Sequence, residues 1–216
     1  MMEEIIALNK VVEIDPCNSG LRADVGLAIC NFLAGDFEGS KKHLLSAAKI
    51  KDKTFSLFKN ERVFHRYLSG ILSWHEEKRV YKRFLKTDKT LYVIGESHSL
   101  VSHQLYVEAI DSTFLCKAQL IIGCTQWQLA NSDRNQYKEQ FESILRTLPK
   151  FSQILLAIGE LDCRLDSGII KHKNKSPQKE ISQIIATTIE NYLNYMKKIT
   201  PAAGMRSFSK EFPAHF

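Results

Sequence analysis

Apolar positions recur with a helical period through the first part of the chain. In "MEEIIALNKVVEI", Ile5, Leu8, Val11 and Val12 fall on one helical face, and Asp15-Pro16 stops the run. "LRADVGLAICNFLAG" repeats the spacing with Leu21, Val25, Leu27, Ala28 and Phe32 and ends at Gly35. "DFEGSKKHLLSAAKI" continues it with Phe37, Leu44, Leu45 and Ala48. Two amphipathic helices joined at a Gly-Asp turn predict a helical hairpin, which cannot bury its apolar face alone.

From Thr90 onward the period changes. "TLYVIG", "AQLIIG" and "QILLAIG" are short continuous apolar runs ending in Gly95, Gly123 and Gly159. Helical patterns lie between them at about 98–110 and 133–147, and another follows at about 177–198. Apolar strands alternating with helices predict an α/β domain built on a parallel sheet covered on both faces. The chain therefore divides into an all-α helical-hairpin module, residues 1–87, and an α/β domain, residues 88–216. In such sheets ligands bind at the carboxyl ends of the strands. The glycine-led turns "GESHS", "GCTQW" and "GELDCR" all fall at that edge.

Ser97 follows the first strand and opens the next helix, where backbone N–H groups and the helix dipole favour developing negative charge. A serine there can attack a carbonyl while nearby N–H groups hold the oxyanion. An N-cap is the commonest role for serine before a helix, and on this turn alone the cap is the favoured reading. Glu96, His98, Glu160, Asp162 and Arg164 are placed to line the crevice or hold its turns, and Trp127 offers an indole face to a sugar ring or to the core. His172, in "GIIKHKNKSP", is expected on a solvated polar segment, and His103 in the core.

The helical module resembles a tetratricopeptide repeat: one repeat would end at "ALNKVVEIDP" and the next run through "LAICNFLAGDFEGSKKHLLSAA". Leu27, Ala28, Gly35, Phe37, Leu44 and Ala47 stand where that pattern wants small or apolar residues, while Ser40 stands where it prefers Ala. The three turns together resemble the SGNH (GDSL-type) hydrolase superfamily. "IGESHS" looks like its nucleophile block, with Glu96 in place of the usual Asp; Gly123 matches the oxyanion glycine of the second block; "GELDCR" occupies the third. Gly159 and Asp162 fit that third block, but Leu161 replaces its oxyanion Asn. A "GESHS…GELDCR" subgroup, in bacterial proteins with helical repeats ahead of the hydrolase-like domain, is associated with surface-polysaccharide biosynthesis. The resemblance implies a three-layer α/β/α, flavodoxin-like sheet and an acyl-serine mechanism, with Ser97 as nucleophile and the Ser97 and Gly123 N–H groups binding the oxyanion.

Two departures bear on activity. The superfamily's Asp-x-x-His has no counterpart, because Phe212 stands three residues before His215. A fourth strand expected after "SQIIATTIENYLNYMKKI" is replaced by "TPAAGMRSFSKEFPAHF", so the SGNH-type sheet is expected to be incomplete at the C-terminus, from truncation or a frameshift near Pro201.

Composition changes this picture little. A net charge of +6 over 216 residues permits an anionic ligand without requiring one. The basic stretches at Lys78–Lys86 and Lys171–Lys179 lack the interleaved aromatics of a nucleic-acid binder. "GESHSL" is neither a dinucleotide fingerprint nor a P-loop, so no cofactor is expected. The five cysteines form no CxxC pair and read as reduced core thiols of a cytoplasmic protein, and no metal is expected from the histidine spacing. No segment reaches the ~20 apolar residues of a membrane span. The expectation is an SGNH-like esterase or acyltransferase acting on a small or carbohydrate ester. The alternative is a non-catalytic scaffold whose helical module binds a protein.

Overall fold

The computed structural model of the chain describes residues 20–49, 59–78, 87–109 and 112–202. They group into two compact units: the described residues up to Lys89 with Val101–Lys117, and Thr90–Leu100 with those from Ala118 onward. The helix expected over residues 2–14 and most of the basic run at 78–86 fall outside the described residues, as do Phe212 and His215.

In the first unit, α1 (Gly20–Ala34) and α2 (Phe37–Ala48) form the expected hairpin, and α3 (Lys59–Glu77) packs on both. Leu21, Val25, Leu27, Ala28 and Phe32 are the buried face of α1. The turn works as its residues dictate: Gly35 takes φ +82°, and the Asp36 side chain caps α2 by accepting from Gly39 N at 2.9 Å. Ser40 is buried where an alanine fits the repeat pattern, and its hydroxyl donates to Ala28 O at 2.8 Å. That bond lets a polar side chain sit at a close helix–helix contact.

In the second unit, β1 (Thr90–Gly95) pairs in parallel with β4 (Gln153–Ala157), Val93 opposite Leu155 and Gly95 opposite Ala157. A Cβ at Gly95 would stand 2.2 Å from Ala157 O, so the pair can end this way only with glycine. Around Ile94, Ile121 and Leu129, a core forms from α5 (Gln136–Thr147), through Phe141 and Leu145, and from α7 (Ile181–Ala202), through Tyr192.

The sheet is mixed, in order β2-β3-β1-β4, rather than all-parallel. Where one helix was expected over 98–110, a 3₁₀ helix (Ser97–Ser102) is followed by β2 (Tyr106–Ala109), antiparallel to β3 (Ser112–Leu120). Gln104, at φ +61°, breaks the helical path. Its N–H donates to Cys116 O and Cys116 N–H to Leu105 O, at 2.9 and 2.8 Å, which starts the hairpin. The β-favouring Tyr106 and Val107 then extend. β3 ends at Leu120, so "IIG" belongs to the turn beyond it.

β4 is the last strand in that order, and its Leu155 is 52% exposed. Helix α7 buries Ile184, Thr188 and Tyr192 but leaves the adjacent row Ile181, Ile185, Ile189 and Leu193 in solvent. Among the described cysteines Cys116 and Cys124 are buried as expected of core thiols, whereas Cys163 is exposed.

Candidate functional site

The end of β1 carries three polar side chains in succession, and the chain path there decides where each goes. Glu96 N–H donates to Ala157 O at 3.3 Å, and Ser99 N–H donates to Glu96 O at 2.9 Å, closing the first 3₁₀ turn. This buries the Glu96 side chain to 2% exposure. Its carboxylate is a hub: Ser97 Oγ donates to Oε2 at 2.6 Å, and His98 Nδ1 sits on Oε1. The Ser97 hydroxyl thus engages a carboxylate, which is not the pattern of a serine capping a helix through a backbone amide. His98 is turned outward, its side chain 50% exposed, and meets Glu96 rather than Ser97.

The third turn meets the first. Donor atoms of Glu96, His98 and Glu160 lie within 4.8 Å of one another. Glu160 is gripped by Arg164, with Nε to Oε1 at 3.0 Å and Nη2 to Oε2 at 2.8 Å. That ion pair is half exposed; Glu160 holds the guanidinium pKa above its ordinary value. The histidine and two carboxylates could hold a divalent cation at this spacing, but in the geometry described each carboxylate already has a cationic or N–H partner.

The third turn also meets the second, through Asp162. Buried to 3% exposure, it accepts from Gln126 N at 2.7 Å and Trp127 N at 3.2 Å, the first N–H groups of α4 (Gln126–Ala130). Helix-start amides need such an acceptor. Burial raises the Asp162 pKa, while the amides of Gln126, Trp127 and Ile169 pull it back. Gln126 Nε2 donates to Ile158 O at 3.2 Å, and Gly159, at φ +136°, leaves room for that side chain. Thr125 and Gln128 close a reciprocal cap at the start of α4.

Gly123 takes φ +76° in the second turn. Leu161 offers no side-chain donor, and its carbonyl accepts from Ser167 Oγ at 2.5 Å. Cys124 is no competing nucleophile: burial, with Asp162 and Glu96 nearby, pushes its pKa up to about 12, which keeps it a thiol. Trp127 lies on α4 with its ring 5.3 Å from that of His172. His172, expected on a solvated segment, stands instead on a helix, α6 (Gly168–Lys175), half-buried against the indole.

The structure therefore brings Glu96, Ser97, His98, Glu160 and Arg164 into one cluster and ties Asp162 to Gln126 and Trp127. Sequence reasoning set Gln126 beside Trp127 as a sugar-facing pair but missed its ties to Asp162 and Ile158, and it missed the contact of Glu96 with Ser97. The capping box in "TQWQ" was a readable signal for the first; neighbouring positions carry no signal for the second. Comparison with protein-family models, with curated proteins and with solved structures gives no match for this chain.

Proposed function

We propose that the second unit is an SGNH-like serine ester hydrolase or acyl-transfer domain, related to the three-layer flavodoxin-like architecture, with Ser97 as nucleophile. The observation that carries this reading is the 2.6 Å hydrogen bond from Ser97 Oγ to the buried Glu96 carboxylate at the end of β1. A proton acceptor within hydrogen-bond reach is what an unactivated serine lacks. Glu96 supplies one.

In this mechanism Ser97 Oγ bonds to the ester carbonyl carbon as its proton passes to Glu96. The N–H groups of Ser97 and Gly123 receive the oxyanion. Collapse breaks the C–O bond, and the leaving alcohol takes the proton from Glu96. Water, or an acceptor alcohol, then gives its proton to Glu96 and attacks the acyl-serine, which releases acid or new ester and restores Ser97. Glu160, held by Arg164, stands beside Glu96, and Asp162 holds the start of α4.

The test is hydrolysis of a small chromogenic acetate, with fluorophosphonate labelling of Ser97. Ser97→Ala is expected to abolish both, and Glu96→Gln to slow turnover by about 10²–10⁴, the usual contribution of a positioned base. Turnover that survives Ser97→Ala in folded protein overturns the reading. No turnover and no labelling in folded wild-type protein would favour the alternative, a non-catalytic scaffold with a partner-binding helical module, for which the apolar Leu161 at the expected donor position speaks. We place the protein in the cytoplasm and its substrate among carbohydrate esters.

A further inference from the structure

A second feature of the same unit shares no lining residue with the Ser97 cluster: an open cavity of about 440 Å³ lined by residues of α4, α6 and α7 and of the turns beside them. Ligand sites fall in the range of roughly 300–1,000 Å³. Its lining is sorted by chemistry. Trp127 and His172 form one wall, their rings 5.3 Å apart and 35° from parallel. A polar row of one helix face, Gln183, Thr187 and Asn191, spaced four residues apart on α7, also lines the cavity. Ala130 and Ile184, both buried, give the floor apolar patches.

An indole face in a cavity also lined by amide and hydroxyl groups suits a pyranose. The ring's C–H face covers the indole, while its hydroxyls, each donor and acceptor, meet side chains that also both donate and accept. Charge narrows the class further. Among the described residues no carboxylate lines the cavity, and the titratable lining groups are Lys179 and His172, which carry positive charge when protonated. A nucleotide or free phosphate would call instead for converging guanidinium or backbone N–H groups.

We infer that this cavity binds an acidic carbohydrate, its sugar ring on Trp127 and its carboxylate toward Lys179. As a substrate subsite the inference rests on the hydrolase reading; as a binding site it stands on its own geometry.

The chain has two tryptophans, so Trp74→Phe leaves Trp127 as the reporter. Titration of that variant with glucuronate and galacturonate is expected to change Trp127 emission saturably, with glucose at least tenfold weaker. Lys179→Gln should erase that preference without abolishing binding. Trp127→Ala, folded by circular dichroism, should lose saturation transfer to the uronate in ligand-observed NMR. No saturable change with either uronate, an equal response to glucose, or saturation by AMP or inorganic phosphate instead would overturn the inference. These uronates carry no ester, so failure here leaves the Ser97 chemistry standing, and loss of the Ser97 chemistry leaves this site standing.

Discussion

Acid should loosen the helical unit, with His103 setting much of the effect. The imidazole is 2% exposed, with its ring centroid 5.3 Å from that of Phe32. Burial is the main reason its pKa falls from 6.5 to about 4. The positive charge of Lys117 and a protonated His75 would lower it further, and the Phe32 and Leu33 carbonyls oppose the fall. The folded pKa lies below the unfolded one, so between about 6.5 and about 4 the unfolded chain binds more protons. Stability is full above that window and drains as pH falls through it. A depression of this size corresponds to about 3 kcal/mol in total at ~1.4 kcal/mol per pH unit, with about 2 kcal/mol lost between pH 7 and pH 5. That is a large share of a typical domain stability of about 5–15 kcal/mol. Urea unfolding followed by circular dichroism at several pH values reads it directly. His103→Phe keeps a ring beside Phe32 and removes the titration, and His103→Gln removes it without added bulk; both should flatten the slope between pH 7 and 5. A smaller slope should remain from His75, whose pKa burial also lowers. A slope unchanged in both variants, or no slope in the wild type, would refute the reasoning.

Three further outcomes are expected. Gly95→Ala should destabilise the second unit by at least ~2 kcal/mol, read as a lower denaturation midpoint, because the new methyl meets Ala157 O at 2.2 Å where two strands pair. Asp162→Ala should cost about 2 kcal/mol, since it strips the acceptor from the amides of Gln126 and Trp127; a red shift of Trp127 emission would report the loosened α4. On the proposed mechanism, in which Glu96 is the base and no cation takes part, a chelator such as EDTA should leave ester turnover unchanged; loss of turnover that Zn²⁺ restores would assign Glu96, His98 and Glu160 to a metal instead.

The helical hairpin was legible because both its causes are local. Apolar residues recur with the helical period through α1 and α2, and Gly35-Asp36 supplies the positive φ and the cap. β1 and β4 were legible because each is a continuous apolar run closed by glycine. The hairpin of β2 and β3 was hidden because Leu100 to Tyr106 reads as well with a helical period; only the pairing of Gln104 and Leu105 with Cys116 decides it. At the candidate site, the gathering of turns was readable from the glycine-led turns falling at the carboxyl ends of the apolar runs. The partner of each side chain was not, because burial drives Glu96 inward onto Ser97 and leaves His98 outside. The wall formed by His172 depends on how α6 lies against α4, a tertiary contact with no local signature.

The uncovered isoleucine row of α7 has a practical corollary. Ile181, Ile185, Ile189 and Leu193, together with Leu155 on β4, make the molecule greasy where a small protein is usually wettable. Handled concentrated in kosmotropic salt, which strengthens apolar association, it should stick to phenyl resin and to itself; dilution or mild non-ionic detergent should reverse both.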